Sequence, residues 1–333
     1  MHDEPLQSEM AIIREFLAPL AAGEPGAFGL ADDCAALTPT AGCDLVLKTD
    51  PVAAGVHFFP DDAAADIAWK ALAVNVSDLV AKGAKPRGYL MALSFPEPPT
   101  REWMAAFASG LGEAQQAFGL RLLGGDTDRR PGPLSVSITV LGEVPAGRMV
   151  RRGGARVGER LFVTGSIGDA WLGLQLRATS PGSRAWPKGI GRKRLIGRYL
   201  RPAPPLALAP AILAMASGAM DLSDGLVKDA ERMGRAGGVR LEIAAGLVPF
   251  SEDARKVLTA DPRLYDELVT GGDDYQVLAA VAPVQVAAFL AAAGAVDVQV
   301  TEIGVACAGT PGAVVLDANG QPLAFARAGY DHF

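Results

Sequence analysis

The segment Asp-Leu-Ser-Asp-Gly-Leu, residues 221–226, places two carboxylates three positions apart beside a serine and a glycine. Several like charges converge only where cations hold them together. Short carboxylate side chains suit Mg²⁺, which shares its coordination shell with water and phosphate groups. Similar clusters recur along the chain: Asp32-Asp33, Thr49-Asp50, Ser77-Asp78, Gly124-Gly125-Asp126-Thr127 and Gly271-Gly272-Asp273-Asp274-Tyr275. The sequence therefore predicts a phosphoryl-transfer site with several magnesium ions.

The length and composition indicate a folded protein of two domains. The chain has 333 residues, more than the roughly 100–200 of one ordinary domain. Half of the residues are hydrophobic and the net charge is −6, which predicts large cores and no nucleic-acid partner. The three cysteines have no Cys-x-x-Cys spacing, and no apolar segment is long enough to span a membrane. We expect a cytoplasmic protein without a membrane partner.

The hydrophobic pattern alternates between strands and helices, so it predicts an α/β (α+β) fold. Helix caps are expected at Asp66, Ser223 and Ser251, and the Thr49-Asp50 and Gly124-Gly125-Asp126 clusters at the ends of strands. A Gly- and Arg-rich passage at 143–160 marks the boundary between domains 1–147 and 148–333. The predicted strands are 44–48, 88–95, 120–123, 135–141, 160–165 and 277–281, with helices at 67–79, 103–118 and 225–237 and others after Ser251 and Pro283.

The familiar nucleotide-binding motifs are absent from the sequence. It contains no Gly-x-x-x-x-Gly-Lys-Ser/Thr loop, no Gly-x-Gly-x-x-Gly turn and no kinase-type Asp-Phe-Gly. With only His2, His57 and His332, neither a histidine-rich zinc site nor a Ser/His/Asp triad is indicated. If a nucleotide binds, its phosphates must be met by metals on carboxylates, by glycine-turn amides and by a few arginines.

Taken in order, the blocks resemble those of the thiamine-monophosphate kinase family. The resemblance extends from about residue 10 to the last residue, and the blocks are specific as an ordered set. They are Asp-Asp-Cys-Ala (32–35), Thr-Asp (49–50), Gly-Val-His-Phe (55–58), Lys-Ala-Leu-Ala-Val-Asn-Val-Ser-Asp-Leu (70–79), Gly-Gly-Asp-Thr (124–127), Asp-Leu-Ser-Asp-Gly-Leu (221–226), Gly-Gly-Asp-Asp-Tyr (271–275) and Gly-Tyr-Asp-His-Phe (329–333).

The resemblance implies a two-domain fold of the aminoimidazole-ribonucleotide-synthetase type. An N-terminal α/β domain would pair with its twin in a homodimer, and a C-terminal α/β domain would follow, with ATP and magnesium ions between the domains. The implied metal-binding residues are Asp33, Thr49, Asp50, Asp78, Asp126, Asp221 and Asp224. The implied ATP-binding residues are Gly125, Asp126, Arg152 and Ser223. His57 and Asp273 match positions that face thiamine phosphate.

The chain departs from the family pattern at several positions. Lys48 stands where the family often has a serine that contacts metal, so we leave Lys48 out of the predicted site. Asp273 replaces the usual glutamate and is one methylene shorter. An aromatic residue often found shortly before the terminal block is replaced by Phe325-Ala326-Arg327. The contacts that stack on the thiamine rings are therefore not assigned.

The implied reaction transfers the γ-phosphate of ATP directly to the phosphate oxygen of thiamine monophosphate, giving thiamine diphosphate and ADP. The attacking oxygen is already an anion near neutral pH, so no covalent intermediate and no strong general base are expected. Three alternatives stay open at this point: a related ligase of the same fold, a two-metal phosphohydrolase, and a non-catalytic sensor of nucleotide or metal. Release of ADP with and without thiamine monophosphate separates them.

Overall fold

The computed structural model describes residues 5–6, 8–178 and 184–330. The chain divides into two compact units. The N-terminal unit comprises Met1–Leu79 and Ala84–Gly147, and the C-terminal unit comprises Val80–Gly83 and Arg148–Phe333. In the described ranges no helix combines the length and the apolar character needed to cross a bilayer.

The N-terminal unit is a sheet covered by long helices. Its strands lie in the order β1-β4-β2-β3, in which β2 and β3 are parallel and the other pairs antiparallel. The predicted helices and strands are present, although most extend further than the patterns indicated. In chain order the elements are α1 (Glu9–Ile12), β1 (Cys43–Ala53), α2 (Ala64–Ala81), β2 (Lys85–Phe95), α3 (Arg101–Phe118), β3 (Leu122–Arg129) and β4 (Ser135–Pro145).

Three local predictions were wrong in this unit. Helix α2 begins at Ala64, so Asp66 lies in its first turn and is not the cap. Thr49-Asp50 lies inside β1 and Gly124-Gly125-Asp126 inside β3, not at strand ends. Both strands are edges of the sheet. An edge strand leaves one side of its backbone accessible, so polar clusters are tolerated there without interrupting the strand.

The two faces of the N-terminal sheet differ in burial. On β4 the side chains of Val136, Ile138 and Val140 are fully buried, while the residues between them are partly exposed. Burial of such a side chain stabilises the fold by about 1.5–3 kcal/mol. The opposite face carries exposed apolar side chains: Leu47 of β1 is 63% exposed and Leu90 of β2 is 41% exposed. One face therefore forms the core and the other is open.

The C-terminal unit is built on a second, larger sheet with strand order β10-β7-β9-β5-β8-β6. Ser251 caps α8 by accepting a hydrogen bond from the Ala254 N–H, as predicted. The elements are β5 (Arg160–Thr164), α4 (Asp169–Arg177), α5 (Arg192–Leu200), α6 (Ala209–Met215), β6 (Ala216–Leu222), α7 (Leu226–Gly237), β7 (Arg240–Ala244), α8 (Glu252–Ala260), α9 (Leu264–Thr270), β8 (Gln276–Val281), α10 (Val286–Ala295), β9 (Val300–Cys307) and β10 (Gly312–Leu316).

Helix α3 approaches the backbone of the first turn of α2 closely at Gly110. A Cβ atom on Gly110 would lie 2.2 Å from the Ala65 carbonyl oxygen and 2.5 Å from Ala65 Cα. Both are backbone atoms, so neither can move aside without separating the helices. Gly112, two residues further along α3, has only Leu20 Cδ2 within reach, at 3.6 Å, which is ordinary van der Waals contact.

We predict opposite effects for alanine at these two glycines. Gly110→Ala should lower the free energy of unfolding by about 1–3 kcal/mol, because overpacking forces the helices apart. Gly112→Ala should raise it by about 0.5–1 kcal/mol, because alanine restricts the unfolded chain and favours helix. Urea denaturation of both variants beside the wild type measures the difference. Stabilisation by both substitutions would show that α2 and α3 are not in backbone contact at Gly110.

Candidate functional site

Two predicted metal ligands, Asp33 and Asp126, line one cavity of about 640 Å³ in the N-terminal unit. Gly125, a predicted ATP contact, lines it too. A Cβ on Gly125 would lie 1.7 Å from the Met91 carbonyl oxygen, so β3 can approach β2 here only with glycine. The Asp126 carboxylate accepts a hydrogen bond from the Thr127 N–H. The cavity thus combines exposed carboxylates with a close-packed glycine backbone.

A second group of predicted ligands gathers around Lys48. The Lys48 ammonium lies 3.0 Å from Asp50 Oδ2 on the same strand and 3.0 Å from Asp78 Oδ2 on α2. None of these three residues lines the Asp33–Asp126 cavity. Partial burial lowers the pKa of the Lys48 ammonium, but the Asp78 and Asp50 carboxylates outweigh it and leave the pKa above its usual value. Lys48 is therefore charged.

The buried side chain of Asn75 holds β1 against α2 beside this group. Its Oδ1 accepts from the Asp50 N–H at 2.8 Å, and its Nδ2 donates to the Asp50 and Ala71 carbonyl oxygens. Asn75 is 0% exposed, so these bonds are shielded from water. They fix the position of Asp50 relative to Asp78, one turn further along α2.

The Thr49 hydroxyl does not join the Lys48 group. Side chains alternate along a strand, so Thr49 lies on the face opposite Lys48 and Asp50. Its Oγ1 donates to the Ile138 carbonyl oxygen at 3.1 Å and accepts from the Thr139 hydroxyl at 3.0 Å. The structure thus brings Asp50 and Asp78 together and separates the Thr49 side chain from them.

His57 follows β1 in a tight turn. Its Nδ1 accepts a hydrogen bond from the Ala53 N–H at 3.0 Å, so in the neutral ring the proton is on Nε2. The His57 N–H in turn donates to the Ala53 carbonyl oxygen at 2.9 Å. The imidazole, which is half-buried, is thereby held in one orientation.

In the C-terminal unit Asp221, Ser223 and Asp224 lie where β6 gives way to α7. The prediction that Ser223 caps α7 was wrong, because the Asp229 carboxylate accepts hydrogen bonds from the Ser223 and Asp224 N–H groups. Burial raises the pKa of Asp229 to about 6, although these N–H groups and Arg232 favour its charged form. Asp229 is fully buried in the first turn of α7, and its carboxylate holds the turn between β6 and α7 in place.

Asp224 is surrounded by cations of the same helix. Its Oδ2 lies 2.5 Å from Arg232 Nη1 and 3.5 Å from Lys228 Nζ. Arg232 also bonds Asp229 at 3.1 Å. The Arg152 side chain is exposed in a short turn at Arg152–Gly154, and we find no ion pair for it among the described residues.

The Gly271-Gly272-Asp273-Asp274-Tyr275 loop has an unusual backbone. Asp273 and Tyr275 adopt left-handed φ values of 65° and 49°, which L residues rarely occupy. The conformation is held by bonds from the Asp273 N–H to the Ser223 carbonyl and from the Tyr275 N–H to the Leu222 carbonyl, both 2.8 Å. The loop therefore lies directly against the Asp221–Asp224 turn.

Asp274 anchors this loop from inside the unit. Both of its carboxyl oxygens lie 3.0 Å from the Gly168 N–H, at the start of α4. Burial raises the pKa of the Asp274 carboxyl well above its usual range, against the opposing effect of the Gly168 and Ala170 N–H groups. The neighbouring Asp273 is half-buried and accepts a bond from the Tyr275 hydroxyl at 3.2 Å. Asp274 faces the core, and Asp273 does not.

The predicted ligands therefore form separate groups. Over the ranges that the structure covers, no three His, Cys, Asp or Glu side chains lie close enough together to hold a metal ion by themselves. Sequence reasoning missed Lys48 as a bridge between carboxylates, Asp229 as the anchor of the β6–α7 turn and Asp274 as the anchor of the next loop. The i, i+2 spacing of Lys48 and Asp50 on a strand was the one signal that could have indicated the first.

Comparison with known proteins places these features in a family. The model for the N-terminal domain of AIR synthase related proteins matches residues 31–144, and the model for their C-terminal domain matches residues 156–317. The thiamine-monophosphate kinase of Caulobacter vibrioides is 39% identical over 301 residues, which cover 89% of this chain and 83% of the relative. The chain belongs to the thiamine-monophosphate kinase family. The thiamine-monophosphate kinase of Salmonella typhimurium is 37% identical over 311 residues, which cover 92% of this chain and 91% of the relative.

Solved structures agree with this family membership. The thiamine-monophosphate kinase from Stenotrophomonas maltophilia K279a has a TM-score of 0.83 at 34% identity, covering 97% of this chain and 100% of its own. AaThiL, solved in complex with AMPPCP and TMP, has a TM-score of 0.76 at 30% identity, covering 93% and 98% of the two chains. The predicted family and its two-domain α/β fold are thus confirmed.

We predict that the Asp274 site tolerates an amide better than a truncation. Asp274→Asn keeps a carbonyl acceptor for the Gly168 N–H in a neutral side chain of the same shape, so its loss of unfolding free energy should stay below about 1 kcal/mol. Asp274→Ala leaves that buried N–H without a partner and should cost about 1–3 kcal/mol. Urea denaturation of both variants and the wild type at neutral pH measures the two losses of unfolding free energy. Equal losses would mean that the charge of Asp274, not its acceptor oxygen, holds the loop.

Proposed function

We propose that this chain phosphorylates thiamine monophosphate with ATP, giving thiamine diphosphate and ADP. The observation that carries the proposal is its similarity, over 93% of its length, to a family structure in complex with AMPPCP and TMP. The curated relatives that match nine-tenths of the chain are thiamine-monophosphate kinases. The clusters of aspartate also support it, because their oxygens suit magnesium, which binds phosphate groups.

We assign magnesium binding to residues of both units. Asp33 and Asp126 line one cavity, and the Asp50 and Asp78 carboxylates both lie 3.0 Å from the Lys48 ammonium, so the fold brings the members of each pair into one region. Exposed hard oxygen donors of this kind fit Mg²⁺. When bound, magnesium neutralises the phosphate oxygens and holds the two phosphates in line. The full proposed set of ligands is Asp33, Asp50, Asp78, Asp126, Asp221 and Asp224, with Thr49 included on the family pattern alone, because its side chain lies on the face of β1 opposite Asp50.

The remaining assigned residues orient the two substrates. Gly125, Asp126, Arg152 and Ser223 are proposed to contact ATP, with the exposed Arg152 guanidinium available to a phosphate. His57 and Asp273 are proposed to contact thiamine monophosphate. His57 is held by its Nδ1 bond to the Ala53 N–H, so its Nε2 is the ring atom that can donate to a ligand. The acceptor phosphate is already anionic, so no side chain need remove a proton and no phosphoenzyme forms.

We also propose that the enzyme is a cytoplasmic homodimer with domains 1–147 and 148–333. Its three cysteines are free thiols, as is usual in a reducing compartment. The open face of the N-terminal sheet is the proposed dimer surface. Leu47 and Leu90 are exposed on it, and the Thr49 and Thr139 hydroxyls bond to each other between them. Exposed leucines on a sheet face that no described element of this unit covers are the observation that favours an interface here.

Replacing one leucine of this face should weaken the dimer. Leu47→Glu places a charge in the proposed interface, so the dissociation constant measured by sedimentation equilibrium should rise by at least about tenfold, the effect of roughly 1.4 kcal/mol. Val157→Glu is the matched control, because Val157 is equally exposed, at 59%, and lies in the other unit. A wild-type chain that sediments as a monomer would rule the homodimer out.

The kinase assignment predicts ADP release that requires both thiamine monophosphate and magnesium. A coupled assay measures ADP with each component omitted in turn. Asp126→Asn should lower turnover by at least about 10²-fold, the scale of one preorganised electrostatic group. In the same assay, His57→Ala should raise the KM for thiamine monophosphate several-fold and leave the KM for ATP within about twofold, since it removes contacts to one ligand only.

The phosphohydrolase and the sensor each have a distinct outcome in this assay. Release of phosphate from ATP without thiamine monophosphate would indicate a phosphohydrolase, and ATP binding without turnover would indicate a sensor. Asp126→Asn at wild-type turnover, with its fold intact by circular dichroism, would contradict the assignment of Asp126. Label from γ-labelled ATP retained on the protein after acid quench would contradict direct transfer.

A further inference from the structure

We propose that the Lys48 ammonium takes the place of one divalent cation between Asp50 and Asp78, so that this enzyme binds one magnesium ion fewer than its carboxylates could hold. The inference rests on the proposed function for the magnesium binding of these carboxylates and for the nucleotide used in the test. It concerns a residue that sequence reasoning set aside from the site. The contacts of Lys48 support it in three steps.

The first step is geometric. Lys48 Nζ lies 3.0 Å from Asp50 Oδ2 and 3.0 Å from Asp78 Oδ2, so one cation bridges two carboxylates of different elements. A Mg²⁺ ion binds carboxylate oxygens at about 2.0–2.1 Å. An ion between the same two oxygens would occupy the space of the ammonium. The two cations therefore exclude each other at this point.

The second step concerns rigidity. A surface ion pair usually contributes little, because two flexible side chains must be ordered and water screens them. Here the carboxylates are placed by other bonds: Asn75, which is fully buried, ties the Asp50 backbone to α2 on both its N–H and its carbonyl. The Asp78 side chain is only 18% exposed, that of Lys48 32% and that of Asp50 42%. The bridge thus forms between carboxylates that the fold already holds together.

The third step is the balance of charge. Two carboxylates and one ammonium leave a net charge of −1, whereas two carboxylates and Mg²⁺ leave none. A lysine in this position keeps Asp50 and Asp78 together without any dissolved ion, so the pair does not repel at low magnesium concentration. An ammonium donates hydrogen bonds but does not polarise a phosphate oxygen as a divalent metal does. Lys48 is therefore a structural cation between Asp50 Oδ2 and Asp78 Oδ2, and magnesium is left to the other oxygens of the proposed ligand set.

The test measures free Mn²⁺ by electron paramagnetic resonance and obtains the bound number per chain by subtraction from the total. The full chain is saturated with AMPPCP. Lys48→Ser removes the ammonium and should bind one more Mn²⁺ per chain than the wild type. Lys48→Arg keeps the charge and should bind the wild-type number. Lys85→Ser is the matched control, because Lys85 is an exposed lysine of the same unit and should leave the count unchanged.

Thermal unfolding gives a second readout that needs neither nucleotide nor activity. Without divalent cations Lys48→Ser should unfold at a lower temperature than the wild type, because Asp50 and Asp78 then repel each other. Millimolar Mn²⁺ should raise its unfolding temperature by more than that of the wild type or of Lys85→Ser, since the ion binds the folded state only. Lys48→Gln, which keeps most of the side chain, serves if Lys48→Ser does not fold.

The outcomes separate this inference from the proposed function. Equal Mn²⁺ counts for the wild type and Lys48→Ser, with equal thermal responses, would overturn the role of Lys48. That result can be obtained whether or not the wild type releases ADP with thiamine monophosphate. If the wild type releases no ADP with thiamine monophosphate, the kinase assignment is overturned. If Lys48→Ser nevertheless binds one Mn²⁺ more than the wild type, the role of Lys48 is supported.

Discussion

Repulsion between carboxylates is the constraint on which the arrangement of this enzyme depends. Its clusters of aspartate can persist in the folded state only where a positive charge or a backbone N–H compensates each of them. Lys48 serves Asp50 and Asp78, and Arg232 with Lys228 serves Asp224. In the core of the C-terminal unit, the buried Asp169 has Arg194 at 2.8 Å. The Asp50–Asp78 pair, Asp224 and Asp169 therefore each have a counter-charge within the same unit.

Two further carboxyl groups have a different task. Asp229 and Asp274 are buried and accept backbone N–H groups, so they hold turns in place and are not exposed to a ligand. The pKa of each is raised by burial. Asp274 is next in sequence to Asp273, and Asp229 is five residues after Asp224, to whose N–H it is bonded. Asp229 and Asp274 thus hold the backbone on which Asp224 and Asp273 are placed, as positioning groups do in other sites.

Much of the fold could be predicted from the sequence because periodicity reports burial directly. The apolar spacing on α3 and the alternation on β4 gave both elements nearly to their ends. The caps were less predictable: Ser251 behaves as its type suggests, whereas α7 begins after Gly225 without a side-chain cap, and Asp229 bonds the Ser223 and Asp224 N–H groups that precede it. Which of two polar side chains reaches an N–H depends on tertiary placement. The Lys48–Asp78 contact joins a strand to a helix thirty residues later, and no local pattern encodes it.

The left-handed backbone at Asp273 bears on why this chain has aspartate there. Among residues other than glycine, Asp and Asn adopt this conformation several-fold more readily than most, because their short polar side chains can bond locally. Asp273 does so through the Tyr275 hydroxyl. The longer acid common in the family reaches one methylene further but has no such preference. Aspartate at this position therefore combines a shorter side chain with a backbone conformation that it adopts readily.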